Sequence, residues 1–80
     1  MSKEWKEEEQ GLSKTFQFKS FTEAWGFMSQ VALIAEKAQH HPDWSNSYNK
    51  VKINLVTHDQ GNSVTEKDRK LAAAIDEILS

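Results

Sequence analysis

The sequence contains no cysteine, one proline and only three glycines among 80 residues. Without cysteine, neither a disulfide nor a thiolate-held metal can brace the chain. So few prolines and glycines mark no flexible joint, and no repeat or low-complexity tract divides the chain, so a single domain over residues 1–80 is expected. An excess of charge of one sign is also missing: 10 Lys+Arg stand against 12 Asp+Glu, a net charge of −2. No basic stripe is available for a phosphate backbone, and direct nucleic-acid binding is not expected. No apolar run reaches membrane-spanning length, and the start from Met1 to Glu9 lacks the apolar centre of a secretory signal. A soluble, cytoplasmic protein without membrane contact is the expectation. A chain this short hides a smaller fraction of its surface than a larger domain does, so self-association as a homodimer or homotetramer is the expected support.

What is present reads as hairpin, helix, hairpin, helix. The charged run from Lys3 to Glu9 suits an edge strand or a frayed terminus, and Gly11 punctuates it. Leu12, Lys14, Phe16 and Phe18 then share one side of a period-two segment, which predicts an opening hairpin. Ser20-Phe21-Thr22-Glu23 has capping-box spacing, predicting a helix from about Phe21 to Gln39. Apolar residues from Phe21 to Ala38 cover about half of that helix's circumference, wider than a minimal core stripe. Phe27 and Ile34, at the edge of this face, are expected to be free for a partner chain. All of the face turning to one core is the alternative.

Pro42 disfavours helical dihedrals at His41, so the helix should stop by Gln39 or His40. Trp44–Tyr48 and Val51–His58 read as strands joined by a turn at Asn49-Lys50. In that register facing residues have numbers summing to 99, which sets His41 opposite His58. Thr65-Glu66-Lys67-Asp68 repeats the capping-box spacing, and Leu71, Ala74, Ile75 and Ile78 form a helical stripe behind it. The expected fold is α+β: a four-stranded, largely antiparallel sheet with two helices packed on one face, in the order β-β-α-β-β-α.

All three histidines, His40, His41 and His58, fall near the ends of these elements. Imidazole exchanges protons near neutral pH, so their convergence would make an acid-base site. The spacing is Glu36, three residues, His40-His41-Pro42, five residues, Tyr48, nine residues, His58, nine residues, Asp68. With Phe16-Gln17-Phe18, Ala24-Trp25-Gly26-Phe27-Met28, Val31-Ala32-Leu33 and Tyr48-Asn49-Lys50-Val51 around it, this motif resembles the pterin-4a-carbinolamine dehydratase family from Trp5 to Leu79.

The resemblance implies loss of water from a 4a-hydroxytetrahydropterin to give the quinonoid dihydropterin, the step that recycles tetrahydrobiopterin, without a metal or organic cofactor. It assigns His40 and His58 to acid-base catalysis. His41 joins them at the catalytic site and, with Glu36 and Trp44, binds the pterin. Pro42, Tyr48 and Asp68 complete the motif as structural members, Asp68 as the capping-box carboxylate. Glu36 accepts pterin N–H groups or holds His40 in this reading. The chain departs from the family in two places. Many members carry an extra helix ahead of the position of Trp5, and Gln39 stands where an acid often precedes the histidine pair. Where that acid tunes a histidine, a different pH optimum is expected.

Two other readings compete. Three histidines and a carboxylate could hold zinc, although adjacent residues in an extended chain point apart. Animal members of the family also serve as dimerisation cofactors for a transcription factor, so a non-catalytic protein-binding module is the alternative function.

Overall fold

The computed structural model describes residues 4–58 and 61–80. Strands β1 (Lys6–Glu8) and β2 (Gly11–Gln17) are followed by helix α1 (Phe21–Ala38), strands β3 (Asp43–Ser47) and β4 (Lys50–Leu55), and helix α2 (Glu66–Ile78). The strands form one antiparallel sheet in the order β1-β2-β4-β3. Leu12, Phe16, Val51, Ile53 and Leu55 alternate with polar residues and turn to the same face. Against them pack Ala24, Phe27, Met28 and Val31 of α1 and Leu71, Ala72 and Ile75 of α2. The α+β fold in the order β-β-α-β-β-α is therefore the one the alternation and helical stripes predict.

Gly11 opens β2 at a point where no other residue fits. Its φ is +134°, and a Cβ there would lie 2.5 Å from the Leu55 carbonyl oxygen. The start of the charged run at Lys3 lies outside the described residues; Lys6–Glu8 form an exposed edge strand. Inward-pointing Lys14 is not stranded among apolar neighbours. Its ammonium lies 2.9 Å from Asp76 Oδ1, and Trp5 Nε1–H donates to the other oxygen of that carboxylate at 3.0 Å.

Helix α1 starts as its capping box requires on one side only. Ser20 Oγ accepts the Glu23 N–H at 3.2 Å, but the Glu23 carboxylate accepts from Lys19 N–H rather than from Ser20. The helix ends at Ala38 because Gln39 turns left-handed, with φ 55°. The Gln39 N–H then meets the Glu36 carbonyl and the His40 N–H meets the Ala35 carbonyl, each at 3.1 Å. This closure leaves the two histidines facing different ways.

Two expectations are corrected. Phe27 is not free for a partner: it is 3 % exposed and its ring lies 4.8 Å from Phe16 and 5.0 Å from Phe18, centroid to centroid. Burying such a ring contributes about 1.5–3 kcal/mol, and the sheet claims it. Ile34 is half-buried against the same core. The outward side of α1 instead carries Trp25, 57 % exposed, and Leu33, 74 % exposed.

The β3–β4 turn is Tyr48-Asn49, not Asn49-Lys50, since Ser47 pairs with Lys50 and Trp44 with Ile53. Facing numbers therefore sum to 97, and His41 and His58 both lie beyond the paired segments. The inside-outside assignment survives because the sum changes by two, which preserves each residue's face. Side-chain amides select this turn. Asn46 Nδ2 donates to the Tyr48 and Lys50 carbonyls, and Asn49 Nδ2 donates to the Phe18 carbonyl at 2.8 Å. Tyr48 accordingly takes a left-handed φ of 54°.

Candidate functional site

The end of α1, the approach to β3, the exit of β4 and the first turn of α2 meet around an open cavity of about 440 Å³. His40, His41, Pro42, Asp43, His58 and Lys67 are among the residues that line it. A larger cavity of about 680 Å³ lies elsewhere, beside Trp5, Lys14, Phe18 and Asp76, and no histidine lines it. The proton-handling side chains select the smaller one.

Each histidine meets a different carboxylate. His40, with only 12 % of its side chain exposed, places Nε2 2.5 Å from Asp68 Oδ1. His41 places Nε2 2.8 Å from Glu36 Oε1 on the surface. His58 places Nε2 3.7 Å from Asp43 Oδ2, within ion-pair reach but beyond a hydrogen bond, while its Nδ1 lies 2.8 Å from Asn62 Oδ1. The left-handed Gln39 explains the first two pairings. It directs His40 inward to α2 and sends His41 back over the last turn of α1, so Glu36 holds His41 and not His40. No three metal-ligating side chains converge among the described residues.

Asp68 does two jobs. As the third residue of α2 it accepts the Thr65 N–H at 2.8 Å, the carboxylate half of the capping box. Its Oδ2 is also 2.8 Å from the Thr57 hydroxyl, which in turn lies 2.7 Å from the Thr65 hydroxyl. Burial pushes the Asp68 carboxyl up, but hydrogen bonds from His40, Thr65 and Thr57, with the charge of His40, more than reverse this and hold it below its ordinary value. Thr57 is buried and closes the loop behind it, since its N–H and carbonyl bond both ways with Ser63.

Trp44 is half-buried and packs against the core, next in the chain to the cavity-lining Asp43. Tyr48, 65 % exposed, sits in the β3–β4 turn. The members that sequence reasoning missed are Asp43, Thr57, Asn62 and Lys67. Asp43 and Thr57 had adjacency as their only signal, one following Pro42 and the other preceding His58. Asn62 and Lys67 depend on how the loop and α2 return to the cavity, which no local pattern encodes.

A two-layer α+β domain thus gathers three histidine-carboxylate pairs where the end of α1 meets the start of α2. The sequence model described as pterin 4 alpha carbinolamine dehydratase matches residues 1–78, and the chain belongs to that family. The chain is 59 % identical over 69 residues to the "Putative pterin-4-alpha-carbinolamine dehydratase" of Prochlorococcus marinus, covering 86 % of this chain and 72 % of that one. A Rhodospirillum rubrum protein of the same name is 57 % identical over 68 residues, covering 85 % and 70 %. Among solved structures, a transcriptional coactivator/pterin dehydratase from Brucella melitensis superposes with a TM-score of 0.88 at 44 % identity, over 95 % of this chain and 82 % of its own. A pterin dehydratase-like protein identified as a RuBisCO assembly factor in the alpha-carboxysome gives 0.77 at 26 % identity, over 91 % and 86 %.

Proposed function

We propose that the chain dehydrates a 4a-hydroxytetrahydropterin to the quinonoid dihydropterin, as a step of tetrahydrobiopterin recycling in the cytoplasm. The observation that carries this reading is the grouping of His40, His41 and His58, each beside its own carboxylate, around one open cavity. The reaction needs a proton delivered to the hydroxyl leaving C4a and a proton taken from a ring N–H as the new double bond forms. His40 and His58 supply that pair, and a positioned acid or base contributes roughly 10²- to 10⁴-fold in rate. His41, held by Glu36, orients the pterin. Glu36 and Trp44, the latter next in the chain to the cavity-lining Asp43, bind the pterin with it, and Pro42 and Tyr48 shape the chain around the site. No metal or organic cofactor is required.

The test follows absorbance as chemically generated 4a-hydroxytetrahydropterin dehydrates at neutral pH. Acceleration over buffer is expected, and a rate equal to buffer overturns the reading.

A second reading, a protein-binding module, draws on the exposed Trp25 and Leu33 along the outside of α1. We assign that surface to a second copy of the chain, in a homodimer or homotetramer, because a core of this size without covalent staples gains most from self-association.

A further inference from the structure

A fully buried carboxylate is costly unless its oxygens are hydrogen-bonded. Asp68 is 0 % exposed, and its two oxygens are used differently. Oδ2 takes the Thr65 N–H and the Thr57 hydroxyl, each at 2.8 Å. That is all a helix start requires of a capping carboxylate. Oδ1 is left over, and it faces the ring of His40 at 2.5 Å.

The direction of the hydrogen bonds follows from what each group can give. The Thr57 hydroxyl donates its one hydrogen to Oδ2 and accepts from the Thr65 hydroxyl, so the chain of donors runs Thr65, Thr57, Asp68. Burial raises the Asp68 pKa, yet the bonds from His40, Thr65 and Thr57 leave it lowered, so the carboxylate is ionised and accepts only. Nε2 of His40 must then carry a proton. In the neutral ring the lone pair belongs to Nδ1.

We propose that Asp68, braced by Thr57 and Thr65, is a positioning residue that fixes His40 in its Nε2–H tautomer, making Nδ1 the proton-exchanging atom and His40 the base of the pair. The assignment as base rests on the dehydratase reading above; the tautomer does not. In the reaction, the ring N–H proton of the pterin passes to Nδ1 of His40. The electron pair of that N–H bond forms the new double bond to C4a, and the C4a–O pair leaves with the hydroxyl. His58 protonates the hydroxyl to give water. Its surroundings suit the acid: Nδ1 lies 2.8 Å from the Asn62 Oδ1 and Nε2 3.7 Å from the Asp43 carboxylate, so an imidazolium finds an oxygen beside both nitrogens. Asp68 touches neither substrate nor product; Asp68 and the two threonines act through the ring.

The test is a long-range ¹H–¹⁵N correlation spectrum of the full chain with ¹⁵N-labelled histidine at neutral pH, paired with dehydration kinetics. Wild type is expected to show the Nε2–H pattern for His40. In Asp68→Asn the amide oxygen still accepts from Thr65 while Nδ2 faces the ring as a donor, so the proton is expected to move to Nδ1. The kcat should fall about 100-fold or more with KM changed by less than about threefold, as when an acid that orients a catalytic histidine becomes an amide. Two results overturn the proposal. One is an Nδ1–H pattern in wild type, which needs no variant; the other is an Asp68→Asn protein that keeps both tautomer and kcat. A wild-type chain that leaves the pterin undehydrated removes His40 as base, while its spectrum still decides whether Asp68 sets the ring.

Discussion

Asp68 Oδ1 and His40 Nε2 meet at 2.5 Å although 28 positions separate them in the chain. The bond joins the end of α1 to the first turn of α2, so the fold and the site share it. Removing the ring of His40 should therefore cost stability as well as rate, because it leaves a buried carboxylate oxygen without its partner. His40→Ala is expected to lose about 1–3 kcal/mol of unfolding free energy and about 10²- to 10⁴-fold in dehydration rate. His58, by contrast, has 66 % of its side chain exposed. His58→Ala should show a comparable rate loss with stability within about 0.5 kcal/mol of wild type. Urea unfolding beside the absorbance assay separates the two; equal destabilisation of both variants would contradict the shared-bond argument.

The same carboxylate gives the fold an acid edge. Its folded pKa lies below the ordinary value of 3.8, so between those two values the unfolded chain binds more protons than the folded one. The contribution of Asp68 is then fully present above about pH 4 and is lost as pH falls through the folded value. Urea midpoints measured from pH 6 down to pH 2 should decline below about pH 4 more steeply for wild type than for Asp68→Asn, which has no proton to gain there. Parallel curves would show that the carboxylate is protonated alike in both states.

Period-two alternation at Leu12 to Phe18 and Val51 to Leu55, with helical stripes behind Ser20 and Thr65, made the fold legible, because burial imposes those periods directly. Phe27 was misplaced because a helical wheel ranks residues by angle and carries no information on which arc the sheet will claim. The β3–β4 turn slipped by one residue because it is set by the amides of Asn46 and Asn49, and Asn49 reaches to Phe18, far away in the chain. At the site, the histidines announced themselves by residue type and spacing. Their partners did not: the pairing of Glu36 with His41 depends on a left-handed Gln39, a residue with no glycine-like signal. Asp68 was visible as a cap and hidden as a partner of His40, since only the docking of α2 beside the end of α1 reveals the second role.

Gly11 tests the sheet independently of the site. Any side chain there combines a φ of +134° with a Cβ 2.5 Å from the Leu55 carbonyl oxygen, which is backbone held in the central strand pair. Gly11→Ala should lose at least about 1–3 kcal/mol. Gly61, with φ +72° and no atom within 4 Å of a built Cβ, carries the conformational cost without the collision. Gly61→Ala should lose about 1 kcal/mol. Thermal unfolding of the pair checks the order, and a Gly61 variant as unstable as the Gly11 variant would refute the steric explanation.

The outer face of α1 supplies the last expectation. Leu33 is 74 % exposed and Trp25 57 % exposed, while Phe27, on the opposite side of the same helix, is 3 % exposed. A charge placed on the outer face should weaken association of copies without opening the core. Sedimentation velocity of Leu33→Asp is therefore expected to show a smaller species than wild type at equal concentration, with unchanged helical circular dichroism. Phe27→Ala should instead unfold at much lower urea, by about 3–5 kcal/mol, through the cavity left between the helix and Phe16 and Phe18. If Leu33→Asp sediments as wild type does while remaining folded, the copies meet elsewhere and the exposed leucine and tryptophan need a different partner.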